Sequence, residues 1–307
     1  TKSDHRDLVT VVDKAIEEAG EPLPYLDWTY DEMIALARKF TDPSKHMYGF
    51  NGGLNFDATI PALDNPDYGY HSWDGEKFNF TDELWIKGLR LNRQLVEEGI
   101  VEAMTAEEKE ALFGQADAWP FIEGHALMSI NGSWDVPYVI EQFKGAGYDM
   151  SFYPYPGGKA GQRIPVVLDF MCVSSQTTYP EEAYLLLKWM SFGEEGWKAR
   201  LEIMEELGEP VTAFPVADYP AVWDKLRDLA DTIDGMQDNI DLLVDGMGFP
   251  DTDKWLPGYN DFYAWLEADD NEYAGQWDTM SPEALAQIYE DNMNRLIEEA
   301  FEKLDIS

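Results

Sequence analysis

The chain has 307 residues, of which 45% are hydrophobic, and its 60 acidic and 22 basic side chains give a formal net charge of −38. This hydrophobic content is typical of a globular protein with one large domain or two lobes, and it excludes wholesale disorder. The negative charge excludes nucleic acid and anionic membranes as partners, because no block of Lys or Arg offsets it locally.

The first half of the chain alternates short predicted strands with helices. Residues 8–20 are predicted to form a strand and then a helix that ends at Gly20. Thr29 and Glu32 form a capping-box pair that predicts the start of the next helix, which ends before Pro43. Further along, we expect a strand at 45–51, a loop over 52–80 with a turn at Asp74-Gly75, and helices at 81–101 and 105–118.

The second half continues this alternation. The stretch "ALMSINGSWDV" predicts a strand, a sharp turn at Asn131-Gly132, and a tryptophan directly after the turn. We then expect a strand ending in a glycine-rich turn at 148–158, an extended run at 163–176, a helix from Pro180 to 200, and helical regions at 219–245 and 281–304 around a tryptophan-rich loop at 250–278. Strands that alternate with helices predict the α/β class.

Aromatic side chains are abundant in segments that read as loops. They make up 14% of the chain, with 11 tryptophans, and several lie in "YLDWTY", "YHSWDGEKF", "NGSWD" and "DKWLPGYNDFYAW". Rings outside regular elements, mixed with Asp and Asn, suit sugars, because a ring packs on the apolar face of a pyranose while carboxylates and amides bind its hydroxyls. Part of this aromatic content is expected to be core.

The residues predict no metal and no cofactor. The single cysteine, Cys172, excludes an intrachain disulfide and a cysteine-based zinc site, and the four histidines have no ligand spacing. No calcium-loop, phosphate-loop, dinucleotide-binding or nucleophile-elbow pattern is present in the sequence. A glycosidase-type pair of carboxylates stays open among 60 acidic residues, but none stands out.

Four stretches, in order, resemble the sugar-binding cluster of bacterial extracellular solute-binding proteins, the receptors of ABC importers. They are "PYLDWTYDEMIALARKFTD", "GHALMSINGSWDV", "YDMSFYPYPGG" and "VVLDFMCVSSQTTYPEEAYLLLKWM". The second is the most specific, and the fourth is nearly as specific because its long spacing agrees with the family pattern. The resemblance extends over about residues 8 to 200.

The resemblance implies a periplasmic-binding-protein type 2 fold that is truncated, consisting mainly of the second lobe plus the returning segment of the first. Residues 1–167 would form the first part of lobe two, 172–248 the segment that returns to lobe one, and 249–307 the closing helices of lobe two. Most of the N-terminal lobe would be missing, together with an export signal and a lipid anchor. We therefore expect apolar surface on 172–248 to be exposed unless it packs on lobe two.

The resemblance also implies a ligand site in the cleft between lobes. Trp134 matches the tryptophan that stacks on sugar, with Asp135 beside it as a hydroxyl acceptor, and Asp169 falls on the crossover strand at the cleft floor. The remaining implied ligand residues are Asn55, Phe56 and Asp57 in the loop after the first lobe-two strand, and Tyr259 and Trp265 near a further stacking position.

Five of these residues also have a structural interpretation. Trp134 could fill a gap between its strand and the next helix, Asp135 could cap that helix, and Asp169 could pair with Arg163. Phe56 and Trp265 could belong to the core.

The function implied is a non-catalytic receptor of an ABC importer that binds a neutral oligosaccharide, since no cluster of Arg suits an anionic ligand. Its partners would be the carbohydrate and the permease subunits, and it would be extracellular, touching the membrane only through the missing anchor. Two alternatives stay open: a secreted carbohydrate-active enzyme that uses a carboxylate pair, and a ligand-sensing domain.

Overall fold

The computed structural model describes residues 16, 20–52, 54–146, 151–209, 213–231, 233, 235–246, 248–251, 253–268 and 271–304. Its helices are α1 (Tyr30–Phe40), α2 (Phe56–Asp64), α3 (Glu83–Glu97), α4 (Ala106–Phe113), α5 (Val136–Ala146), α6 (Pro180–Met190), α7 (Glu194–Leu207), α8 (Pro220–Ala230), α9 (Met236–Val244), α10 (Tyr259–Leu266) and α11 (Pro282–Leu304). Its strands are β1 (Tyr48–Phe50), β2 (Ala126–Met128), β3 (Ile164–Val167) and β4 (Gly248–Asp251). The α/β class is confirmed. The strand and helix predicted at 8–20 lie almost wholly outside the described residues.

Helix α1 begins and ends where the sequence predicts. The Thr29 hydroxyl accepts a hydrogen bond from the Glu32 backbone N–H, and the Glu32 carboxylate accepts from the Thr29 N–H, which completes the capping box. The buried face of the helix consists of Tyr30, Met33, Ile34 and Ala37.

Two pairs of parallel strands organise the chain. Strand β1 pairs with β2, with Tyr48 opposite Ala126 and Phe50 opposite Met128. Strand β3 pairs with β4 from Ile164 opposite Gly248 onward. Because both pairs are parallel, the carboxyl ends of the two strands in each pair meet at one edge, where α/β proteins commonly bind ligands.

The predicted loop over 52–80 contains a helix, α2, which the sequence analysis missed. Eight of its nine residues are buried, and it carries Pro61 in its interior, a residue that breaks helices when packing does not compensate. The compensation comes from α3, which approaches so closely at Gly88 that an added Cβ would lie 2.3 Å from the Phe56 carbonyl oxygen. The turn at Asp74-Gly75 is confirmed, with the Asp74 carboxylate accepting from the backbone N–H groups of Glu76 and Lys77.

Other predicted elements need smaller corrections. The helix from Pro180 to 200 is two helices, α6 and α7, separated by a turn that ends at Gly193. The strand predicted at 148–158 is not formed in its described part, 151–158, where the backbone makes only isolated bridges at Gly157 and Gly158. The tryptophan-rich loop contains β4 and α10.

Separate apolar clusters form the core. One joins α1, β1 and α2 and includes Phe249 of β4, and another joins the start of α3 to α10 and α11. A third consists of residues from α7, α8 and α9 packed around Val136, the first residue of α5. None of the helices in the described part of the chain is both long and apolar enough to cross a membrane.

The helices within residues 172–248 differ in how much of their apolar surface is buried. Helices α7 to α9 bury an apolar face against α5. Helix α6 has no buried residue, and it exposes the large apolar side chains Tyr184, Leu185, Leu186, Trp189 and Met190. Apolar surface is thus exposed on this segment, densely on α6 and more sparsely elsewhere, as at Ile203 and Leu207 of α7.

Candidate functional site

Trp134 follows strand β2 and lies on the surface. Its side chain is 61% exposed, in a short 3-10 turn, Ser133–Asp135, that continues into α5. The indole folds back over Gly132, where an added Cβ would meet ring carbons at 2.2 Å. The glycine therefore allows the ring to lie against the backbone with much of its surface open to solvent, as a stacking platform requires.

Asp135 ends that turn and directly precedes α5. Its backbone N–H donates to the Gly132 carbonyl oxygen at 3.0 Å, and the residue is half-buried. Asp135 thus directly follows Trp134 and directly precedes α5, a position that fits both the ligand and the capping interpretations.

The three consecutive residues Asn55, Phe56 and Asp57 have different surroundings. Asn55 is exposed with a left-handed backbone (φ 48°), and its side chain makes no capping hydrogen bond. Phe56 is 0% exposed in the core cluster of α1 and α2, with its ring 6.2 Å from that of Tyr30. The structure thus corrects Phe56 from a cleft aromatic to a core residue, because α2 turns its first side chain inward.

Asp57 is 5% exposed and lies in a polar contact between α2 and α3. Its Oδ1 accepts from Asn92 Nδ2 at 2.6 Å, and its Oδ2 lies 3.9 Å from His71 Nδ1. Burial raises the pKa of the Asp57 carboxyl, and His71 offsets part of that rise. This position inside the protein is a correction to the expected direct contact of Asp57 with a ligand.

Replacing Asp57 by asparagine is expected to raise the free energy of unfolding at neutral pH. The raised pKa means that the folded state holds the proton more tightly than the unfolded state. Stability from this group is therefore present below the usual Asp pKa of about 3.9 and is lost as the pH rises. Asparagine keeps an acceptor for Asn92 and removes the buried charge.

Urea unfolding of both proteins between about pH 4 and pH 8 measures this, and the two should converge at the acidic end. The exposed Asp117→Asn is the control. A variant less stable than the wild type at neutral pH would show that the Asp57 carboxylate is held as a net stabilising partner of His71.

Asp169 lies just beyond the carboxyl end of β3 and is exposed. Its Oδ1 is 3.4 Å from the Nζ of Lys254, which follows β4. The sequence interpretation in which Asp169 pairs with Arg163 is wrong. The Arg163 guanidinium instead donates to backbone carbonyl oxygens of Asn65 and Tyr68 and lies over the ring of Phe249.

Trp255 joins this edge and was missed as a candidate. Its Nε1–H donates to the Leu168 carbonyl oxygen at 2.8 Å, and its ring meets Phe170 edge-on at 5.5 Å. The rings of Trp255 and Phe170 are both about half exposed. Its position in the 3-10 turn Asp253–Trp255, which follows a strand of a parallel pair, is a usable signal, but only once β4 is recognised as a strand.

Tyr259 and Trp265 both belong to α10, and both are half-buried against the cluster formed with α11. The Tyr259 hydroxyl lies 3.3 Å from that of Tyr263. Trp265 lines a cavity of about 390 Å³, together with Ala268, Asn271, Glu272 and Tyr273. Trp265 thus combines the core and the surface interpretations, with one part of its ring packed and another facing an open cavity.

Among the expected ligand residues, Asp169 lies close to residues that follow β4. The others lie on three different elements: Asn55 on one, Trp134 and Asp135 on a second, and Trp265 on a third. Within the described ranges, no group of three or more His, Cys, Asp or Glu side chains is arranged to hold a metal ion. The arrangement provides exposed rings and carboxylates, which can stack on and accept hydrogen bonds from a polar ligand.

Comparison with protein families and solved structures gives consistent matches. A family model described as bacterial extracellular solute-binding protein matches residues 7–192. An ABC substrate-binding protein from Listeria monocytogenes, in complex with cycloalternan, is similar in structure with a TM-score of 0.62 and 16% identity, over 93% of this chain and 68% of that one.

Two further solved structures are similar. A solute-binding protein of an ABC transporter from Thermotoga lettingae, bound with α-D-tagatose, has a TM-score of 0.58 and 16% identity, over 92% of this chain and 68% of that one. The sugar-binding protein MalE from Xanthomonas citri has a TM-score of 0.58 and 12% identity, over 96% of this chain and 69% of that one. At these identities the likeness concerns the fold, a type 2 periplasmic-binding-protein fold of which this chain spans about two thirds.

Proposed function

Because the chain belongs to the bacterial extracellular solute-binding protein family, we propose that it is the receptor of an ABC importer and that its ligand is a neutral oligosaccharide. One observation carries the choice of ligand: Trp134 offers an exposed indole in the turn that leads into α5, and Asp135 follows it in the sequence. Relatives of the same fold are in complex with cycloalternan and α-D-tagatose, which supports a sugar as the class of ligand.

Two features favour a neutral ligand over a charged one. The net charge of −38 opposes anions, and the basic side chain at the strand-end edge, Lys254, already faces Asp169. A sugar with many hydroxyls needs acceptors, and Asp135, Asp169 and the exposed Asn55 amide provide them.

We propose further that residues 1–167 and 249–307 form one lobe and that 172–248 belong with a second lobe. The cluster that joins α3 to α10 and α11 supports the first part, because it links early and late segments of the chain. The exposed apolar face of α6 supports the second for that helix, whereas α7 to α9 also contact the first of these lobes through α5. The β3–β4 pair would then lie at the junction of the two lobes, and the permease subunits would recognise the closed form of the receptor.

A calorimetric and NMR titration of the intact chain tests the ligand class. The panel contains maltodextrins and cellodextrins of two to four units, with glucose, tagatose and ribitol. Weak binding of at least one oligosaccharide, weakened further or abolished in Trp134→Ala, is the expected result, because one wall of an interlobe cleft binds less tightly than two. Binding of none of them, or turnover of a chromogenic glycoside that one Asp or Glu substitution abolishes, would contradict the receptor.

A further inference from the structure

A second aromatic platform lies one helical turn beyond Trp134. Tyr138, in the first turn of α5, is 51% exposed, and its ring is stacked on that of Trp119 at 6.0 Å between centroids and an interplanar angle of 11°. The two nearly parallel rings are laterally offset, and because the Tyr138 side chain stays half exposed, surface of the phenol is left open to solvent.

The support beneath Tyr138 is firm. Trp119 packs against the cluster that contains Phe121 and Val139, and its ring is 6.1 Å from that of Phe121. Val139, the neighbour of Tyr138 in α5, is fully buried in the same cluster. The backbone and the inner face of Tyr138 are thus both fixed, so stacking a ligand on it costs little side-chain entropy.

Trp134 and Tyr138 lie along one continuous helical stretch. The turn Ser133–Asp135 runs directly into α5, whose first residue, Val136, has helical backbone angles (φ −50°, ψ −48°). Residues four apart on an α-helix lie on the same face, and because Trp134 stands in the 3-10 turn that precedes α5, the two side chains are offset around the helix axis but leave the same end of α5. Asp135, between the two rings in sequence, is half-buried and can accept hydroxyl hydrogen bonds.

We propose that Tyr138, supported by Trp119, is a second stacking subsite beside Trp134, so that this wall of the site binds two consecutive sugar units of a neutral oligosaccharide. The proposal rests on the proposed function and adds to it the minimum length of the ligand. A monosaccharide or a polyol would occupy only one of the two platforms.

The test compares ligand lengths in the intact chain. Dissociation constants for glucose and for maltose, maltotriose and maltotetraose, with the cellodextrins in parallel, are measured by NMR titration for the wild type, Tyr138→Ala and Tyr138→Phe. The expected result is that Tyr138→Ala weakens tri- and tetrasaccharide binding by about 5- to 30-fold, which corresponds to about 1–2 kcal/mol at 1.4 kcal/mol per tenfold. Glucose binding should be unchanged, and Tyr138→Phe should bind like the wild type because it keeps the ring.

Tyr25→Ala, at another exposed tyrosine, is the matched control and should bind all sugars like the wild type. An equal effect of Tyr138→Ala on glucose and on maltotetraose, or no effect on either, overturns the second subsite while leaving the receptor in place if Trp134→Ala still weakens binding. Wild-type affinity that does not rise from glucose to the oligosaccharides also overturns it. Failure of every sugar to bind the wild type contradicts the proposed function, and the subsite with it.

Discussion

Replacing Trp134 by alanine is expected to weaken binding of every sugar that the chain binds, by about 5- to 150-fold or about 1–3 kcal/mol. The indole is 61% exposed, so its removal takes away a stacking face and little core packing. The affinity should therefore fall while the urea midpoint and the m-value stay close to those of the wild type.

The matched control is Trp189→Ala in α6, a second exposed tryptophan outside the proposed site. It should leave sugar affinity unchanged, which separates the loss of a specific platform from the loss of any surface indole. If Trp134→Ala instead unfolds at lower urea and its binding defect follows its unfolded fraction, the side chain is a packing residue between β2 and α5.

Substitutions of Trp134 and of Tyr138 are expected to change sugar affinity in different ways. Loss of Trp134 should affect short and long sugars alike, whereas loss of Tyr138 should affect only the longer ones. That difference distinguishes a two-unit wall from a general apolar patch, for which the penalty would follow the area removed and not the length of the ligand.

The elements that sequence predicts best are those with local signals. The Thr29–Glu32 capping box and Pro180 at the start of α6 fix helix ends through neighbouring residues alone. Helix α2 was missed because Pro61 and an unbroken run of buried side chains hide its periodicity. Its stability depends on contact with Gly88 and α3, which no local pattern contains.

The same contrast holds for the candidate site. The sequence places Trp134 after an Asn-Gly pair and predicts a sharp turn there, but that prediction is wrong: residues 129–132 form no turn, and Gly132 is extended (φ −80°, ψ 159°). The partner of Asp169 is Lys254, 85 positions away in the chain, and the choice between Lys254 and Arg163 depends on the pairing of β3 with β4. Phe56 could not be assigned to the core without knowing that a helix starts there.

Replacing Gly88 by alanine is expected to destabilise the protein by about 1–3 kcal/mol, as overpacking typically does, and valine should cost more. At an exposed helix position the same change would stabilise by about 1 kcal/mol, because alanine is the better helix former, so the sign of the effect is itself the test. The added Cβ would lie 2.3 Å from the Phe56 oxygen, 2.5 Å from its carbonyl carbon and 2.6 Å from Asp57 Cα. These are backbone atoms, which cannot rotate away, so α2 and α3 must separate.

Separation of α2 from α3 would also disturb the hydrogen bond from Asn92 to Asp57 and shift Asn55 at the start of α2, so a loss of sugar affinity should accompany the loss of stability. Urea unfolding of Gly88→Ala, with Glu97→Ala on the exposed side of α3 as the control, measures the stability change. A Gly88→Ala protein as stable as the wild type would show that the two helices can move apart without cost. In that case the close approach would not be what holds Pro61 within a helix, and the stability of α2 would have to come from its contacts with α1 and the 3-10 turn Tyr70–Ser72.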